Sequence, residues 1–187
     1  KEYRRQRQMC IRDRYLSLEG AIIQMINHGI TSGALFMLVG FLYDRRHTRR
    51  ISDFGGIKKS MPLYAAIFLF TSFASIGLPG LNGFVGEFMI LMGSFPTFQI
   101  LSSVAAFGVV LAAIYMLWAY QRIFNGQLNN DENAVLSDLN PKEIIAVGPL
   151  LVLMLFIGIY PSFIEGYVVQ DVSVIFETIN FYTEVSK

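Results

Sequence analysis

The chain has 187 residues, of which 53% are hydrophobic and only 16% charged, with 15 basic and 14 acidic side chains and a mean hydropathy of +0.48. A soluble domain of this size carries about 25% charged residues, so the composition is that of a small polytopic membrane segment. One cysteine, Cys10, and two histidines, His28 and His47, exclude a disulfide framework, a Cys/His zinc cluster and cysteine-ligated iron–sulfur centres. No phosphate-binding glycine loop, nucleophile elbow or basic stripe with interleaved aromatics follows the first residues.

The charges are bunched. Residues 20–43 and 144–164 carry none, and residues 60–121 carry only Glu87. A hydrocarbon core of about 30 Å needs roughly 20 helical residues. These windows predict an all-α integral membrane protein with four transmembrane helices, at about 20–43, 62–94, 99–124 and 144–164. The middle window divides near Ser94-Phe95-Pro96-Thr97.

The second predicted helix is too long for one straight span, since its residues would reach roughly 50 Å. Leu78-Pro79-Gly80-Leu81-Asn82-Gly83 interrupts it, where Pro79 removes a backbone donor and Gly77, Gly80 and Gly83 weaken the helix. Two readings remain: a short loop joining two half-length interfacial helices, or a broken helix of transporter type with its half-helix ends aimed at an ion path.

The loop after the first helix carries Arg45, Arg46, Arg49, Arg50, Lys58 and Lys59, which places it on the cytoplasmic side. The loop 125–143 returns to that side with Lys142 and four acids. In the tail 165–187, Val168, Val172, Ile175, Phe176 and Ile179 recur at helical spacing. They predict an amphipathic helix on the membrane surface or against a neighbour. Residues 1–14 contain six basic side chains on the side that should be poor in them, and the string reads as a non-native prefix joined to an incomplete gene. The domain reading is then a prefix at 1–14, a transmembrane part at 15–164 and the tail.

Glu87 is the one acidic side chain inside the four predicted spans. An ionisable residue within a membrane is a functional candidate by default. Loss of water favours its neutral acid, while a place in the first turn of the restarting half-helix would favour the anion, and a balance between them suits a proton carrier. The structural alternative is a carboxylate that snorkels or satisfies the broken backbone. The imidazole of His28 can pass a proton between its two nitrogens, which suits a relay, yet a lone membrane histidine is as often an interhelical hydrogen-bond partner. Thr71, Ser72, Ser75, Asn82, Ser102 and Ser103 are candidates to hold a water chain, although membrane serines more often bond their own helix carbonyls. Tyr115, Trp118 and Tyr120 read as an interfacial aromatic belt with Arg122 as anchor.

Four stretches carry a family resemblance: Gly20-Ala21-Ile22-Ile23-Gln24-Met25-Ile26-Asn27-His28-Gly29, Tyr43-Asp44-Arg45-Arg46-His47-Thr48-Arg49, Asp53-Phe54-Gly55-Gly56, and Gly77-Leu78-Pro79-Gly80 leading into Phe84-Val85-Gly86-Glu87-Phe88. In this order and spacing they resemble the C-terminal part of the subunit 4 (chain M) family of proton-translocating NADH:quinone oxidoreductase, respiratory complex I. The resemblance implies a fragment holding the last four of fourteen membrane helices in an antiporter-like subunit. Glu87 then matches the acidic residue of a broken helix and His28 a histidine of the helix before it, with a path from His28 through Glu87 to the outside. It also implies partners among the other membrane subunits of the complex, including sister antiporter-like subunits. This chain would hold no cofactor, with NADH, FMN, iron–sulfur clusters and quinone bound by partner chains. The expected location is an integral one, in a bacterial plasma membrane or an equivalent energy-transducing organelle membrane. Moving one proton against about 150 mV costs roughly 3.5 kcal/mol, which this chain has no redox group to supply. The alternatives are an antiporter-like chain of a sodium/proton antiporter or membrane-bound hydrogenase, and a passive scaffold in which Glu87 and His28 bridge helices.

Overall fold

One long helix is the spine against which most of the chain is laid. In the computed structural model, whose described residues are 2–128 and 130–185, α1 runs from Glu2 to Arg46. It begins well before the predicted residue 20 because no glycine or proline interrupts residues 2–19. Two short 3-10 turns follow, Ile51–Asp53 and Ile57–Lys59, and then α2 (Pro62–Ser75), α3 (Asn82–Ser94), α4 (Gln99–Phe124), α5 (Asp131–Ala134), α6 (Pro141–Ile159) and α7 (Ser162–Val185). Among the described residues no strand occurs. Three helical stretches, Tyr15–Arg46, Gln99–Phe124 and Pro141–Ile159, are long and apolar enough to cross a membrane.

The helix predicted at 62–94 is divided into α2 and α3, with 14 and 13 residues. At about 1.5 Å per residue neither half reaches the roughly 30 Å of a hydrocarbon core. The break is a specific cap. Gly77 takes a left-handed φ of 72°, and the Leu78 N–H donates back to the Phe73 carbonyl at 3.0 Å. That six-to-one bond closes a Schellman motif, and Pro79 stops the helix from resuming. Gly80, with φ 91°, turns the chain into Leu81, from which α3 starts.

Contacts along α1 give the direction of the two halves. The Tyr64 hydroxyl donates to the Leu38 carbonyl at 2.9 Å, Asn82 meets Asn27, Gln24 meets Glu87, and Met89 packs on Gly20. Numbers rise along α2 and α3 as they fall along α1, so the halves descend the spine one after the other instead of folding into a hairpin. The first sequence reading, two interfacial helices joined by a loop, does not fit this register.

α6 makes a second descent, and its ends are set by chemistry close to the chain. Asn140 accepts from the Glu143 N–H at 2.9 Å while Glu143 accepts from the Asn140 N–H at 2.8 Å, a capping box with Pro141 at the first helical position. α6 therefore starts before the predicted residue 144, and Pro161 ends it at Ile159, before the predicted 164. At its lower end Gly158 lies so close to the backbone of Gly80 and Leu81 that a Cβ there would overlap both.

The tail helix α7 has a neighbour within this chain. Val168 and Val172 are buried in a cluster with Ile23, Val85 and Met89, and the Tyr15 hydroxyl donates to the Val169 carbonyl at 2.8 Å. Ile175 is 42% exposed, while the side chains of Phe176 and Ile179 lie outside the described residues. α4 returns beside the broken pair, anchored at its end by Tyr120 and Phe124 against Tyr64 and Phe68, and its apolar middle is almost wholly exposed. Tyr120 is thus a core residue, with 7% exposure, and not part of an aromatic belt, whereas Tyr115 and Trp118 are each 60% exposed. The Arg122 guanidinium sits 4.8 Å from the Trp118 ring centroid.

At the end where α1 finishes, the basic loop and the loop after α4 are one packed unit. The Gly56 N–H donates to the Asn125 carbonyl at 3.3 Å, Arg46 pairs with Glu132, and the Asn133 amide donates to the Asp53 carbonyl at 3.1 Å. Thr48 and Ser52 hydroxyls donate to the Asp53 carboxyl and hold it below the usual carboxylate range. Arg45 forms the hub. Its guanidinium grips Glu143 through both terminal nitrogens, at 2.6 and 2.7 Å, and donates to the Phe41, Ser137 and Asp138 carbonyls. Asp138 in turn accepts the Leu63 and Tyr64 N–H groups at 2.8 and 3.0 Å, capping α2. Three helix ends therefore meet through three ionic side chains, Arg45, Glu143 and Asp138.

This packing makes two substitutions informative. Removing Arg45 takes from Glu143 its counter-ion, leaving it only the Asn140 N–H, and takes a donor from the Ser137 and Asp138 carbonyls, so Arg45→Ala costs about 1.5–3 kcal/mol, and Arg45→Lys restores less than half because a single ammonium cannot reproduce the fork. Thermal unfolding of the purified full-length protein measures both. Gly158→Ala forces a methyl into the backbone of the break and costs about 1–3 kcal/mol by the same measurement, whereas Gly148→Ala, where no other element comes within 4 Å, causes no loss because alanine is the better helix former.

Candidate functional site

The break between α2 and α3 is where the polar side chains of this apolar chain converge. Glu87 is the sixth residue of α3, so it stands in the second turn and not in the first, as the sequence reading had it. It still reaches the break. Its carboxyl lies over Gly77, in the space that a Cβ on that residue would occupy. Any side chain at position 77 would both strain the left-handed backbone and displace the carboxyl.

The α1 surface supplies the partners. Gln24 Nε2 donates to Glu87 Oε1 at 3.2 Å, and Gln24 reaches across because Gly86 has no side chain in its way, an added Cβ there lying 2.5 Å from Gln24 Oε1. One turn further along α1, Asn27 and Asn82 bond reciprocally. Asn27 Nδ2 donates to the Asn82 carbonyl at 2.7 Å, and Asn82 Nδ2 donates to Asn27 Oδ1 at 3.3 Å. Both asparagines are buried, at 1% and 0% exposure. Such pairs hold helices together in lipid, where the alternative is an unsatisfied amide. Two acceptors remain over: Gln24 Oε1 and Asn82 Oδ1 are buried and accept no hydrogen bond among the described residues.

On its other side Glu87 opens to a cleft of about 320 Å³ between α3 and α4, lined by Ile90, Leu91, Ala105, Gly108, Val109 and Ala112. The small residues of α4 have too little side chain to fill the space beside the carboxyl. Among the described residues no charged group acts on Glu87, and no cluster of three or more His, Cys, Asp or Glu side chains gathers to hold a metal. A half-buried carboxyl with one amide donor and an apolar cleft can take up and release a proton.

The other predicted residues are placed less directly. His28 is exposed on α1, its Nδ1 sharing a 2.7 Å hydrogen bond with the Ser32 hydroxyl, and no hydrogen bond joins it to Glu87. Pro79, Gly80 and Gly83 form the break, with Gly83 packed against the Ala74 carbonyl. Thr71 and Ser72 are fully buried and donate to the Ile67 and Phe68 carbonyls of their own helix. Ser75 is the half-buried last residue of α2. Ser102 and Ser103 sit at the α3–α4 junction, where Ser102 donates to Ser94 and Ser103 to the Gln99 carbonyl. These hydroxyls do not form one hydrogen-bonded chain.

Four residues escaped the sequence reading. Gln24 and Asn27, with Thr31, are spaced three and four apart along an otherwise apolar helix, and that polar stripe was a legible signal of a face turned to a partner. Glu19 lies one residue before the charge-free window, yet α1 continues through it and buries it to 7% exposure, within electrostatic reach of Glu165 on α7. Glu87 is therefore not the only carboxylate among the apolar helices.

Comparison with known proteins agrees with this architecture. Residues 8–115 match the family model described as NADH:quinone oxidoreductase/Mrp antiporter, transmembrane. The NADH-quinone oxidoreductase subunit M of Rhodobacter capsulatus is 43% identical over 156 residues, which cover 83% of this chain and 30% of that protein. The NADH-ubiquinone oxidoreductase chain 4 of Marchantia polymorpha is 41% identical over 145 residues, covering 78% of this chain and 29% of that protein. Among solved structures, respiratory complex I from Thermus thermophilus with bound NADH contains a chain that superposes with a TM-score of 0.78 at 30% identity, over 88% of this chain and 34% of that one. The Mrp complex from Dietzia sp. shares the fold, with a TM-score of 0.75 at 18% identity over 89% of this chain and 39% of that one. The chain thus spans about a third of the length of the proteins it matches. On its motifs, its broken helix and these matches, the chain belongs to the NADH:quinone oxidoreductase/Mrp antiporter family of integral membrane proteins, on the subunit M (chain 4) branch.

Proposed function

We infer that this chain is the C-terminal part of a proton-translocating membrane subunit of NADH:quinone oxidoreductase, with Glu87 as its proton carrier. The observation that carries the reading is the Glu87 carboxyl lying over Gly77 at the helix break, held by Gln24 on one side and open to the α3–α4 cleft on the other. In this reading α2 and α3 together make a fourth crossing, supported by their common direction along α1. The basic loop faces the cytoplasm of a bacterial plasma membrane, which puts α3 in the outer half of the bilayer.

Glu87 then works by alternation between anion and neutral acid. Arrival of a proton removes the charge that burial penalises, and departure toward the cleft restores an anion held by the Gln24 amide. His28 belongs to an earlier step, on a face of α1 that this chain leaves open to the helices of the longer relatives. The redox chemistry that drives transfer is assigned to NADH, FMN, iron–sulfur clusters and quinone in partner subunits, because the sequence offers no ligand set for them. The sister antiporter-like subunits are the expected membrane neighbours. A role in a sodium/proton antiporter shares the broken helix, since the Mrp likeness extends to the fold, but the subunit M and chain 4 relatives favour complex I.

The test is NADH-driven proton pumping in membranes whose full-length subunit carries Glu87→Gln, with assembly and NADH oxidation measured alongside. A carrier predicts an assembled complex that pumps at least about tenfold less, the loss of a group that must change protonation state. Unchanged pumping by an assembled Glu87→Gln complex would make the carboxylate structural.

A further inference from the structure

Gln24 presents an unusual combination: one end of its amide serves Glu87, and the other end is buried without a partner. Nε2 donates to Glu87 Oε1 at 3.2 Å, whereas Oε1 accepts no hydrogen bond among the described residues. A buried acceptor without a donor is costly and needs a reason. The amide is also the one neutral side chain whose two ends are nearly isosteric, one a donor and one an acceptor. A half-turn about its last torsion exchanges them without displacing a neighbour.

Glu87 needs the opposite partner in each of its two states. The carboxylate only accepts hydrogen bonds, while the neutral acid has an O–H to donate. We propose that Gln24 is a positioning residue that turns its amide with the protonation state of Glu87, donating N–H to the anion and accepting the acid's O–H on Oε1. This rests on the reading of Glu87 as a proton carrier and specifies how both forms are held. When a hydronium ion in the cleft gives its proton to Glu87, an O–H bond forms on the carboxyl and water is left, and the neutral acid donates to Gln24 Oε1. On release the proton returns to water and the Gln24 N–H reforms its bond to the anion.

The surroundings leave this role to Gln24. Around Glu87 the break contributes Gly77, and α4 contributes Ala105, Gly108, Val109 and Ala112, none of which titrates. On α1 the ionisable groups nearest in sequence are Glu19 and His28, and no charge acts on the carboxyl among the described residues. Gly86 gives the amide its place, because any side chain there would meet Gln24.

The experiment uses the assembled complex in native membrane vesicles and three variants of its full-length subunit: Gln24→Met, which fills the volume without hydrogen bonding, Gln24→His, which can both donate and accept, and Glu87→Gln. Pumping per NADH is read together with infrared difference spectra between high and low pH, taken on protein grown with carbon-13-labelled glutamine. The expected result is a pumping loss of about tenfold in Gln24→Met, the effect of deleting a hydrogen bond to an ionised group, with partial recovery in Gln24→His. In the wild type a labelled glutamine carbonyl band shifts as the Glu87 acid band appears, and that shift is missing in Glu87→Gln. If Gln24→Met fails to assemble, the band comparison between wild type and Glu87→Gln decides alone. The proposal is overturned if Glu87→Gln stops pumping while Gln24→Met pumps normally, or if the glutamine band stays still while Glu87 titrates. Normal pumping by Glu87→Gln would instead remove the carrier reading itself, and this proposal with it.

Discussion

A helix can be broken among apolar helices only where protein covers the backbone that the break uncovers, and this constraint organises the molecule. Lipid offers no hydrogen bonds, so every N–H and C=O freed between Ser75 and Asn82 needs a partner or a shield. The Gly77 cap returns the Leu78 N–H to Phe73. α1 presents Asn27 to Asn82 from one side, and α6 brings Gly158 directly onto Gly80 and Leu81 from another. Each of these approaches requires a small or amide-bearing residue at one position.

The same cover creates the site. Because the break is packed by α1 and α6 but not by α4, the carboxyl of Glu87 has a polar wall on one side and a cleft on the other. A group that must exchange a proton needs both. Complete enclosure would leave it no route to water, and open exposure would remove the environment that makes its charge costly. The Arg45 hub, at the far end of α1, fixes the ends of α1, α2 and α6 relative to one another and thereby the register that brings Gln24 to Glu87. In water such a hub would add little, but between helices that lipid solvates as well as one another, a fully used guanidinium supplies specificity that apolar packing lacks.

Much of this was legible in the chain itself. Membrane class, the approximate positions of the apolar helices, the interruption near Pro79 and the candidacy of Glu87 all come from composition, charge spacing and the known behaviour of proline and glycine. The errors share a cause. α1 extends beyond its charge-free window because a helix stops for backbone reasons, whereas the window was bounded by charge, and Glu19 was lost for that reason. Tyr120 looked interfacial by sequence position, but its ring stacks at 4.6 Å on Phe124 inside the chain. The tail's apolar stripe predicted a helix on the membrane surface or against a neighbour, and the structure supplies the neighbour, the surface formed by Ile23, Val85 and Met89.

What the sequence by itself determined is therefore everything that depends on residues near one another: which segments prefer lipid, where a helix must stop, and which carboxylate is stranded in an apolar run. Tertiary structure decided the pairings. Asp138 caps α2 across 74 residues, Gln24 meets Glu87 across 63, and α7 finds α1 across more than 150. Local preferences follow from the transfer energies and torsions of single residues, whereas partner choice depends on which faces the register of whole helices brings together.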